Sequence, residues 1–325
     1  MNLIDQTILV TGGAGFIGSY VVEELLKFPP KRIIIVDNMI RGSAANMAGF
    51  KDHPAVEFIE GDIRDAKLIE DCVARSQYVF HMAALRINAC AADQREGFDV
   101  MAAATFNLID ACKRHGVKKV IYSSSASVYG LAQHFPTPES DNPYDNQTFY
   151  GAAKLFGEQM LRSYKFMHGL DYVALRYFNV YGERMDTHGK YTEVMIKWLD
   201  CIRDGRAPLI FGDGSDTMDF VHVSDIAKCN VLALLSDATD MAFNVGTGVE
   251  TSLAQLLAAL LKVNSCSLAP EHRPANSVNP VSRRLADISR ARKLLGYEPS
   301  VSLDAGLARL SRWYFDHLAH RTPAA

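Results

Sequence analysis

The sequence has 325 residues, 48% of them apolar and 22% charged, which is typical of a globular protein with one large domain or two fused units. Its formal net charge of -3 removes the electrostatic reason to expect a nucleic-acid or membrane partner. The six cysteines have no CxxC spacing, so we expect neither a metal site nor a disulfide framework. No apolar run is long enough for a membrane span, and "MNLIDQTILVTGG" lacks secretory-signal features, so a cytoplasmic location is expected.

Six short β-rich runs alternate with helical patterns in the first half of the chain. They are "TILV" (7–10), "RIIIV" (32–36), "VEFIE" (56–60), "YVFHM" (78–82), "KVIYS" (119–123) and "YVALRY" (172–177). Between them, stretches such as "GSYVVEELLKF" and "TFNLIDACKRHG" repeat apolar residues at helical spacing. Strands without polar alternation, each followed by a helix, predict a parallel sheet buried on both faces. The fold class is therefore a doubly wound α/β fold.

The pattern becomes looser after residue 179. A helix-like "EVMIKWLDCIRDG" and a turn-rich "FGDGSDTMD" precede a return to strand and helix at "FVHVSDIAKCNVLALL". We therefore predict a first domain over 1–179, to which 220–246 returns. A smaller, interleaved α/β lobe over 180–219 and 247–325 is expected to follow it.

A glycine-rich turn follows the first predicted strand. In "ILVTGGAGFIGSYVVEELL", Gly12, Gly15 and Gly18 lie where missing side chains let the backbone approach a pyrophosphate, next to the free N–H groups of a helix N-terminus. Asp37, at the end of the second strand, would accept the adenosine ribose hydroxyls and repel a 2′-phosphate, which favours NAD over NADP. The alternative is a glycine turn with a solvated aspartate.

Small and hydroxyl-bearing residues end the fourth and fifth predicted strands, in "HMAAL" (81–85) and "YSSSASVYG" (122–130). Ligands of such sheets bind beyond the carboxyl ends of the strands, so Ala83 and Ala84 would allow contact with a dinucleotide. A serine run is more often a turn or a helix cap than a catalytic group. We expect His81 to be a hydrogen-bonded core residue.

Tyr150 and Lys154 lie four residues apart in a predicted amphipathic helix, "DNQTFYGAAKLFGEQMLRSYKFMHG", and therefore share one face. A nearby ammonium favours the phenolate, so Lys154 is expected to lower the pKa of Tyr150 and make it a base. By itself the YxxxK pattern more often marks two structural residues, since it occurs by chance in many helices. Its coincidence with the glycine turn, the acidic strand end and the serine strand end favours catalysis.

In these residues the sequence resembles the extended short-chain dehydrogenase/reductase family, and within it the NAD-dependent nucleotide-sugar epimerases and dehydratases. The motifs span nearly the whole chain: "TGGAGFIG", "VDN", "GDIRD", "HMAAL", "SSSASVYG", "YGAAK", "RYFNVYG", "DFVHVSDIA", "NVGTG" and "RRLADISRARKLLGYEPSVSLDAGL". The resemblance implies that residues 1–179 form a Rossmann domain that binds NAD. The smaller lobe would bind the nucleotide sugar.

The resemblance also implies roles for individual residues. Ser125, counted back from "VYG", takes the position of the catalytic serine or threonine, and Lys154 also binds the nicotinamide ribose. The further cofactor contacts are Phe16 and Ile17 beneath the pyrophosphate, Asn38 of the "VDN" motif, Asp62 and Ile63 beside the adenine, Arg86 on the nicotinamide side, and Phe178 beside the nicotinamide. Tyr177 and Asn179 would line the substrate site, with Asn179 at the diphosphate.

The implied reaction is inversion of C4 in a UDP-hexose or its N-acetyl or uronic derivative. Tyr150 as phenolate would take the proton of the C4 hydroxyl while hydride passes to NAD, and Ser125 would hydrogen-bond the same oxygen. Related 4,6-dehydratases carry an Asp-Glu pair after the catalytic threonine. Here those positions are Ala126 and Ser127, which favours epimerisation. A dehydratase or 4-keto reductase is the alternative enzyme, and a non-catalytic NAD-binding scaffold is a more distant one.

Two positions depart from the family pattern. Met218 replaces an arginine that binds diphosphate, and Met101 replaces an expected asparagine. A methionine cannot replace a bidentate cation. Arg273 in "EHRPAN" matches a later arginine of the family, so the resemblance implies that Arg273 binds the diphosphate, with Arg283 or Arg284 assisting. Each of these arginines could equally be a surface charge.

Two further expectations concern the substrate pocket and the assembly. The segment "GKYTEVMIKW" (189–198) is expected to contribute to the sugar and base pocket through Thr192, although Thr192 and Glu193 could instead cap a helix. The resemblance implies a homodimer formed by two helices per subunit. The apolar faces of "AAATFNLIDACKRHG" and "AAKLFGEQMLRSY" would serve that interface.

Overall fold

The computed structural model of the protein describes residues 3–187, 193–274 and 281–318. The strands in these ranges are β1 (Thr7–Thr11), β2 (Arg32–Asp37), β3 (Val56–Glu60), β4 (Tyr78–His81), β5 (Lys119–Ser125), β6 (Asp171–Tyr177), β7 (Asn179–Tyr181), β8 (Leu209–Phe211), β9 (Thr217–Met218), β10 (Phe220–His222), β11 (Met241–Val245), β12 (Thr251–Ser252) and β13 (Glu271–Arg273). All six strands predicted from the sequence are present, as β1 to β6.

The α-helices of the same ranges are α1 (Phe16–Leu26), α2 (Ala44–Met47), α3 (Ala66–Val73), α4 (Ile87–Ala92), α5 (Gln94–Phe98), α6 (Ala104–Arg114), α7 (Phe149–His168), α8 (Val194–Arg203), α9 (Val223–Leu235), α10 (Leu253–Val263), α11 (Ser289–Leu295) and α12 (Leu303–Leu318). A π-helical segment, Asp99–Ala103, leads into α6. Within these ranges, no helix combines the length and apolar character needed to cross a bilayer.

Seven strands form the central sheet in the order β11-β6-β5-β4-β1-β2-β3, and every neighbouring pair is parallel. This confirms the predicted doubly wound α/β fold. The chain moves outward from β1 to β3 on one side and from β4 to β11 on the other. The strand order therefore reverses between β1 and β4, which is where sheets of this kind form a ligand crevice at their carboxyl edge.

The sheet is buried on both faces. Along β1, Ile8 and Val10 point into one hydrophobic core and Leu9 into the other, as the alternation of side chains along a strand requires. Helices α1 and α9 cover the first face, and α3, α6 and α7 cover the second. A third core lies outside the sheet, where Trp198 of α8 and Leu310 of α12 are buried. The division into two domains at residue 179 stays a prediction.

Helix α7, which carries the tyrosine and lysine of the YxxxK pattern, has a defined beginning and end. The hydroxyl of Thr148 accepts a hydrogen bond from the backbone N–H of Gly151 at 3.1 Å and caps the N-terminus. Gly169 ends the helix in the left-handed conformation, with φ of +74°, which glycine adopts without a steric penalty. Both ends of the helix are therefore fixed by local sequence.

Candidate active site

Residues that follow the carboxyl ends of the central strands line a cleft of about 560 Å³. They come from the turns after β1, β2, β3 and β4 and from the ends of β5 and β6, while α7 contributes Tyr150 and Lys154. The cleft therefore lies at the carboxyl edge, which includes the point where the strand order reverses. This is the expected position for a dinucleotide and its partner substrate.

The glycine turn leaves room for a pyrophosphate. Gly12 has a φ of +74°, and a Cβ added there would come within 2.8 Å of the backbone nitrogen of Ala83. A Cβ on Gly18 would overlap the carbonyl oxygen of Gly12. Helix α1 begins after Gly15, and no side chain caps its N-terminus, so its first N–H groups can bind an anion.

Asp37 lies beside this turn and lines the cleft. One carboxylate oxygen accepts a hydrogen bond from the N–H of Ala14 at 3.0 Å, and the other accepts one from the N–H of Met39 at 2.9 Å. Burial raises the pKa of this carboxyl, and the backbone donors oppose that rise. Each oxygen keeps a further lone pair, so the group can still receive ribose hydroxyls.

A second carboxylate is fixed at the end of β3. Asn38 donates a hydrogen bond to Asp62 at 2.9 Å, and Arg64 donates two, at 2.9 and 2.8 Å. The hydrogen bonds from Arg64 hold the pKa of Asp62 well below its usual range. The polypeptide thus keeps Asp62 ionised next to Ile63, and both side chains line the cleft.

The proposed catalytic groups meet where β5 ends against α7. The side chain of Ser125 lies close enough to the phenol of Tyr150 to oppose the rise in the pKa of that phenol. The ammonium of Lys154 donates to the backbone carbonyl of Ser123 at 2.6 Å and lies 5.8 Å from the centroid of the Tyr150 ring. Lys154 is fully buried in the protein, at 3% exposure, yet reaches the cleft. The strand end therefore positions both partners of the helix.

Burial controls the titration of this pair. Burial raises the pKa of Tyr150. The side chain of Ser125 and the positive charges of Arg41 and Arg284 oppose that rise. Burial lowers the pKa of Lys154 to about 8. The expectation that Lys154 draws the pKa of Tyr150 below its usual value is therefore wrong for the polypeptide by itself, because desolvation outweighs the nearby charges.

Most of the residues singled out in the sequence line this one cleft. They are Gly12, Gly15, Phe16, Ile17, Gly18, Asp37, Asn38, Asp62, Ile63, Ala83, Ala84, Arg86, Tyr150, Lys154 and Tyr177. Ser125 is not among the described lining residues, but its neighbours Ser124 and Ser127 are. The structure thus brings residues from seven separate motifs together.

Two predicted site residues, Phe178 and Asn179, are placed differently. The ring of Phe178 is buried, and its centroid lies 6.5 Å from that of the Tyr129 ring. Successive residues of an extended strand point to opposite faces, so Phe178 points away from the cleft that Tyr177 lines. Asn179 starts β7 and donates its N–H to the carbonyl of Asp219 at 3.0 Å. Neither is among the described residues that line the cleft. Thr192 lies outside the described residues.

Two of the three arginines proposed to bind the diphosphate, Arg273 and Arg283, are exposed. Arg273 is paired with Glu271 at 2.9 Å on β13. Arg283 is paired with Glu250 at 2.7 Å, and its guanidinium stacks 4.4 Å from the ring centroid of Phe135. Neither is among the described residues that line the cleft. Both side chains are held by acidic neighbours on the surface.

The two methionines that depart from the family pattern have structural surroundings. Met101 is buried in the π-helical segment, and its sulfur accepts a hydrogen bond from the N–H of Leu85 at 3.2 Å. Met218 lies in β9 and pairs with Thr251 of β12. Neither is part of the described cleft lining.

Sequence reasoning missed several charged residues of the cleft. Arg41 is paired with Asp186 at 3.3 Å, and Arg184 is paired with Glu23 at 2.6 Å. Arg41 follows the "VDN" motif and Arg184 follows "VYG", so both are close to recognisable segments. The positions of Arg41 and Arg184 in the sequence did not predict that they line the cleft. Both lie in loops whose path depends on contacts with distant parts of the chain.

Comparison with known proteins agrees with the fold and the dinucleotide site. The chain belongs to the NAD dependent epimerase/dehydratase family, whose family model matches residues 8–246, more than half of the chain. Members of this family use NAD, and the residues of the glycine turn and Asp37 fit that cofactor.

Both 4-epimerases and a 4,6-dehydratase resemble the chain over nearly its whole length. A UDP-glucose 4-epimerase of Mycolicibacterium smegmatis is 36% identical over 309 residues, 94% of this chain and 97% of the relative. The structure of a UDP-N-acetylglucosamine 4-epimerase from Methanobrevibacter ruminantium, in complex with UDP-N-acetylmuramic acid, superposes with a TM-score of 0.91 at 33% identity, covering 98% of this chain and 100% of that one. A dTDP-glucose 4,6-dehydratase from Streptomyces venezuelae, with NAD bound, superposes with a TM-score of 0.87 at 28% identity, covering 96% and 97%.

Proposed function

We propose that the protein is an NAD-dependent 4-epimerase of a nucleotide-diphosphate sugar, with a UDP-hexose or its N-acetyl or uronic derivative as substrate. The observation that carries the proposal is that Tyr150 and Lys154 line the same cleft as the glycine turn, with Ser125 close to the phenol. The names of the 4-epimerase relatives support it.

Each side chain has a distinct part in this reaction. NAD, when bound, supplies a hydride acceptor and then a hydride donor. Tyr150 takes the proton of the C4 hydroxyl during oxidation and returns it during reduction. Ser125 hydrogen-bonds the same oxygen and orients it. Lys154 holds its ammonium between the carbonyl of Ser123 and the phenol, which is the position from which it can bind a ribose hydroxyl.

The residues after Ser125 support epimerisation over dehydration. Ala126 is buried and has no titratable group, and Ser127 donates its backbone N–H to Ser125 at 3.1 Å. A hydroxyl near its usual pKa is a poor acid and a poor base at neutral pH. Elimination across C5 and C6 would need both, so oxidation and re-reduction at C4 is the chemistry that these side chains allow.

The test is a panel of UDP- and dTDP-sugars incubated with the purified protein and followed by NMR. We expect a C4 isomer from a UDP-sugar, with NAD retained by the protein. Tyr150→Phe should lower kcat at least about 100-fold, the lower range for loss of a general base. Tyr144→Phe, at 87% exposure, is the matched control and should retain full activity.

Other products would contradict the proposal in distinct ways. A 6-deoxy-4-keto product would identify a dehydratase, and net reduction of added NAD+ with release of a 4-keto sugar would identify a 4-keto reductase running in reverse. Turnover that Tyr150→Phe does not change would overturn the assignment of the base.

A further inference from the structure

One guanidinium in the cleft has no acidic partner among the described residues. Arg284 lines the cleft and a small adjoining cavity, and its terminal nitrogen donates a single long hydrogen bond, 3.4 Å, to the hydroxyl of Ser127. Its Nε is shielded from solvent and has no hydrogen-bond partner within the described ranges. Such an arrangement is costly, because a desolvated cation gains stability only from an anion or a full set of acceptors.

The other arginines of the cleft are paired. Arg41 contacts Asp186 at 3.3 Å. Arg64 contacts Asp62 at 2.8 Å, and Arg184 contacts a glutamate of α1 at 2.6 Å. Arg86 has carboxylates at 3.6 Å. Among the arginines that line the described cleft, Arg284 is therefore the one that no carboxylate of the described residues compensates.

The backbone holds Arg284 in this orientation. Its N–H donates to the carbonyl of Thr217 at 2.9 Å, and the N–H of Thr217 donates to the carbonyl of Ser282 at 2.9 Å. Thr137 exchanges hydrogen bonds with the carbonyl of Leu285, at 2.7 Å, and the N–H of Asp287, at 3.0 Å. Both sides of the segment 282–287 are thus fixed by extended pairing.

In an extended segment, neighbouring side chains point in opposite directions. Arg283 accordingly turns outward to Glu250, and Arg284 turns inward to the cleft. The inward direction is set by the backbone and does not depend on an acidic group within the protein. The guanidinium is presented to whatever occupies the cleft.

The position of this charge relative to the reacting carbon indicates which substrate group it meets. The terminal nitrogen of Arg284 contacts the hydroxyl of Ser127, two residues after Ser125, and Arg284 lines the same cleft as Tyr150. Since Tyr150 acts on the C4 hydroxyl, Arg284 lies near the substituents of C3 and C5. The nucleotide diphosphate is attached at C1, on the opposite side of the six-membered ring from C4. A neutral hexose offers only hydroxyls near C4, whereas an acidic sugar offers a carboxylate that a guanidinium binds with two hydrogen bonds.

We infer that Arg284 binds a carboxylate carried by the sugar ring next to C4, and that it makes the enzyme selective for acidic nucleotide sugars. The inference rests on the proposed function for the identity of the reacting carbon. The carboxylate has two chemical sources, the C6 acid of a hexuronate and an acid joined through an ether at O3. Both place an anion on a neighbour of C4.

The test compares UDP-glucose, UDP-N-acetylglucosamine, UDP-glucuronate and UDP-N-acetylmuramate with the NAD-loaded enzyme. We expect kcat/KM for one of the two acidic sugars to exceed that of its neutral parent at least about tenfold. Arg284→Gln should lower that kcat/KM on the order of 30-fold or more, the range for truncating one partner of a buried charge pair. The kcat/KM of Arg284→Gln for the neutral sugars and its Kd for UDP should stay within about threefold of the wild-type values. The substitution removes only the guanidinium that binds the carboxylate, which neutral sugars and UDP lack. For the same acidic sugar, the kcat/KM of Arg284→Lys should lie between the values of the wild-type protein and Arg284→Gln.

Controls separate binding from folding. Arg292→Gln removes an exposed arginine that pairs with Glu298 at 3.1 Å and should leave every value unchanged. Circular dichroism and NAD content must match the parent protein in each variant. If Arg284→Gln fails to fold, Arg284→Lys carries the test, because it keeps the charge but loses the bidentate geometry.

Each outcome decides the inference. Equal losses for neutral sugars, acidic sugars and UDP would assign Arg284 to the diphosphate and overturn it. Unchanged kinetics for all substrates in Arg284→Gln would also overturn it. If no sugar is epimerised but titration calorimetry shows that Arg284→Gln weakens only the acidic UDP-sugar, the inference stands and the proposed reaction fails. The acid that is turned over identifies the source of the carboxylate.

Discussion

His81 shows how burial sets the protonation state of a side chain in this protein. His81, at the end of β4, is fully buried and contacts Thr11 and Thr105 through its two ring nitrogens, both at 2.9 Å. Burial, with a smaller contribution from the charge of Lys154, lowers the pKa of His81 to about 3. The interpretation of His81 as a hydrogen-bonded core residue matches these contacts.

The lowered pKa of His81 predicts a pH dependence of stability. The unfolded chain binds a proton near pH 6.5 and the folded chain only near pH 3, so stability is lost as the pH falls through this window. Between pH 7 and 5, wild type should lose about 2 kcal/mol more unfolding free energy than His81→Gln. Urea denaturation at both pH values measures the difference. Equal losses in the two proteins would show that His81 does not stay neutral in the folded state.

At the scale of secondary structure, a buried ion pair joins α7 to the strands that hold the catalytic groups. Arg176 of β6 donates to both oxygens of Glu158 of α7, at 2.9 and 2.7 Å, and both side chains are almost fully buried. Ser124, next to the catalytic serine, also donates to Glu158. The pair therefore fixes the junction of β5, β6 and α7.

Removal of one partner of this pair should be strongly destabilising. Glu158→Ala leaves the guanidinium of Arg176 buried without its counter-ion, and we expect a loss of about 3–5 kcal/mol in unfolding free energy. The double variant Glu158→Leu with Arg176→Met should recover a large part of that loss, since no charge is left unpaired. Asp71→Ala, which breaks an exposed pair with Lys67, is the control and should leave the denaturation midpoint unchanged. A loss no larger than the control's would show that solvent reaches the junction.

At the scale of the whole molecule, we propose that two copies of the chain pair through α6 and α7. These helices pack side by side, and they expose large apolar side chains, Phe106 at 42% and Phe156 at 38%. Exposed apolar residues on neighbouring helices are suited to an interface between subunits.

Light scattering at micromolar concentration should give twice the 35.9 kDa of one chain. Phe106→Glu combined with Phe156→Glu should give the mass of one chain, because charges would be buried without partners at the interface. Phe211→Glu, at a phenylalanine of β8 that is 49% exposed, should leave the mass doubled. A single-chain mass for the wild-type protein would contradict the proposed pairing.

Local patterns along the chain were sufficient to predict the sheet, the glycine turn and the shared face of Tyr150 and Lys154. These features depend on local spacing, since strand alternation, helical periodicity and the conformational freedom of glycine act over a few residues. Tertiary structure decided which arginine enters the cleft. Arg283 and Arg284 are adjacent, and only backbone pairing with Thr137 and Thr217, more than 60 positions away, sets which of them points inward. It also decided protonation, because the desolvation that raises the pKa of Tyr150 comes from the packing of the whole site around it.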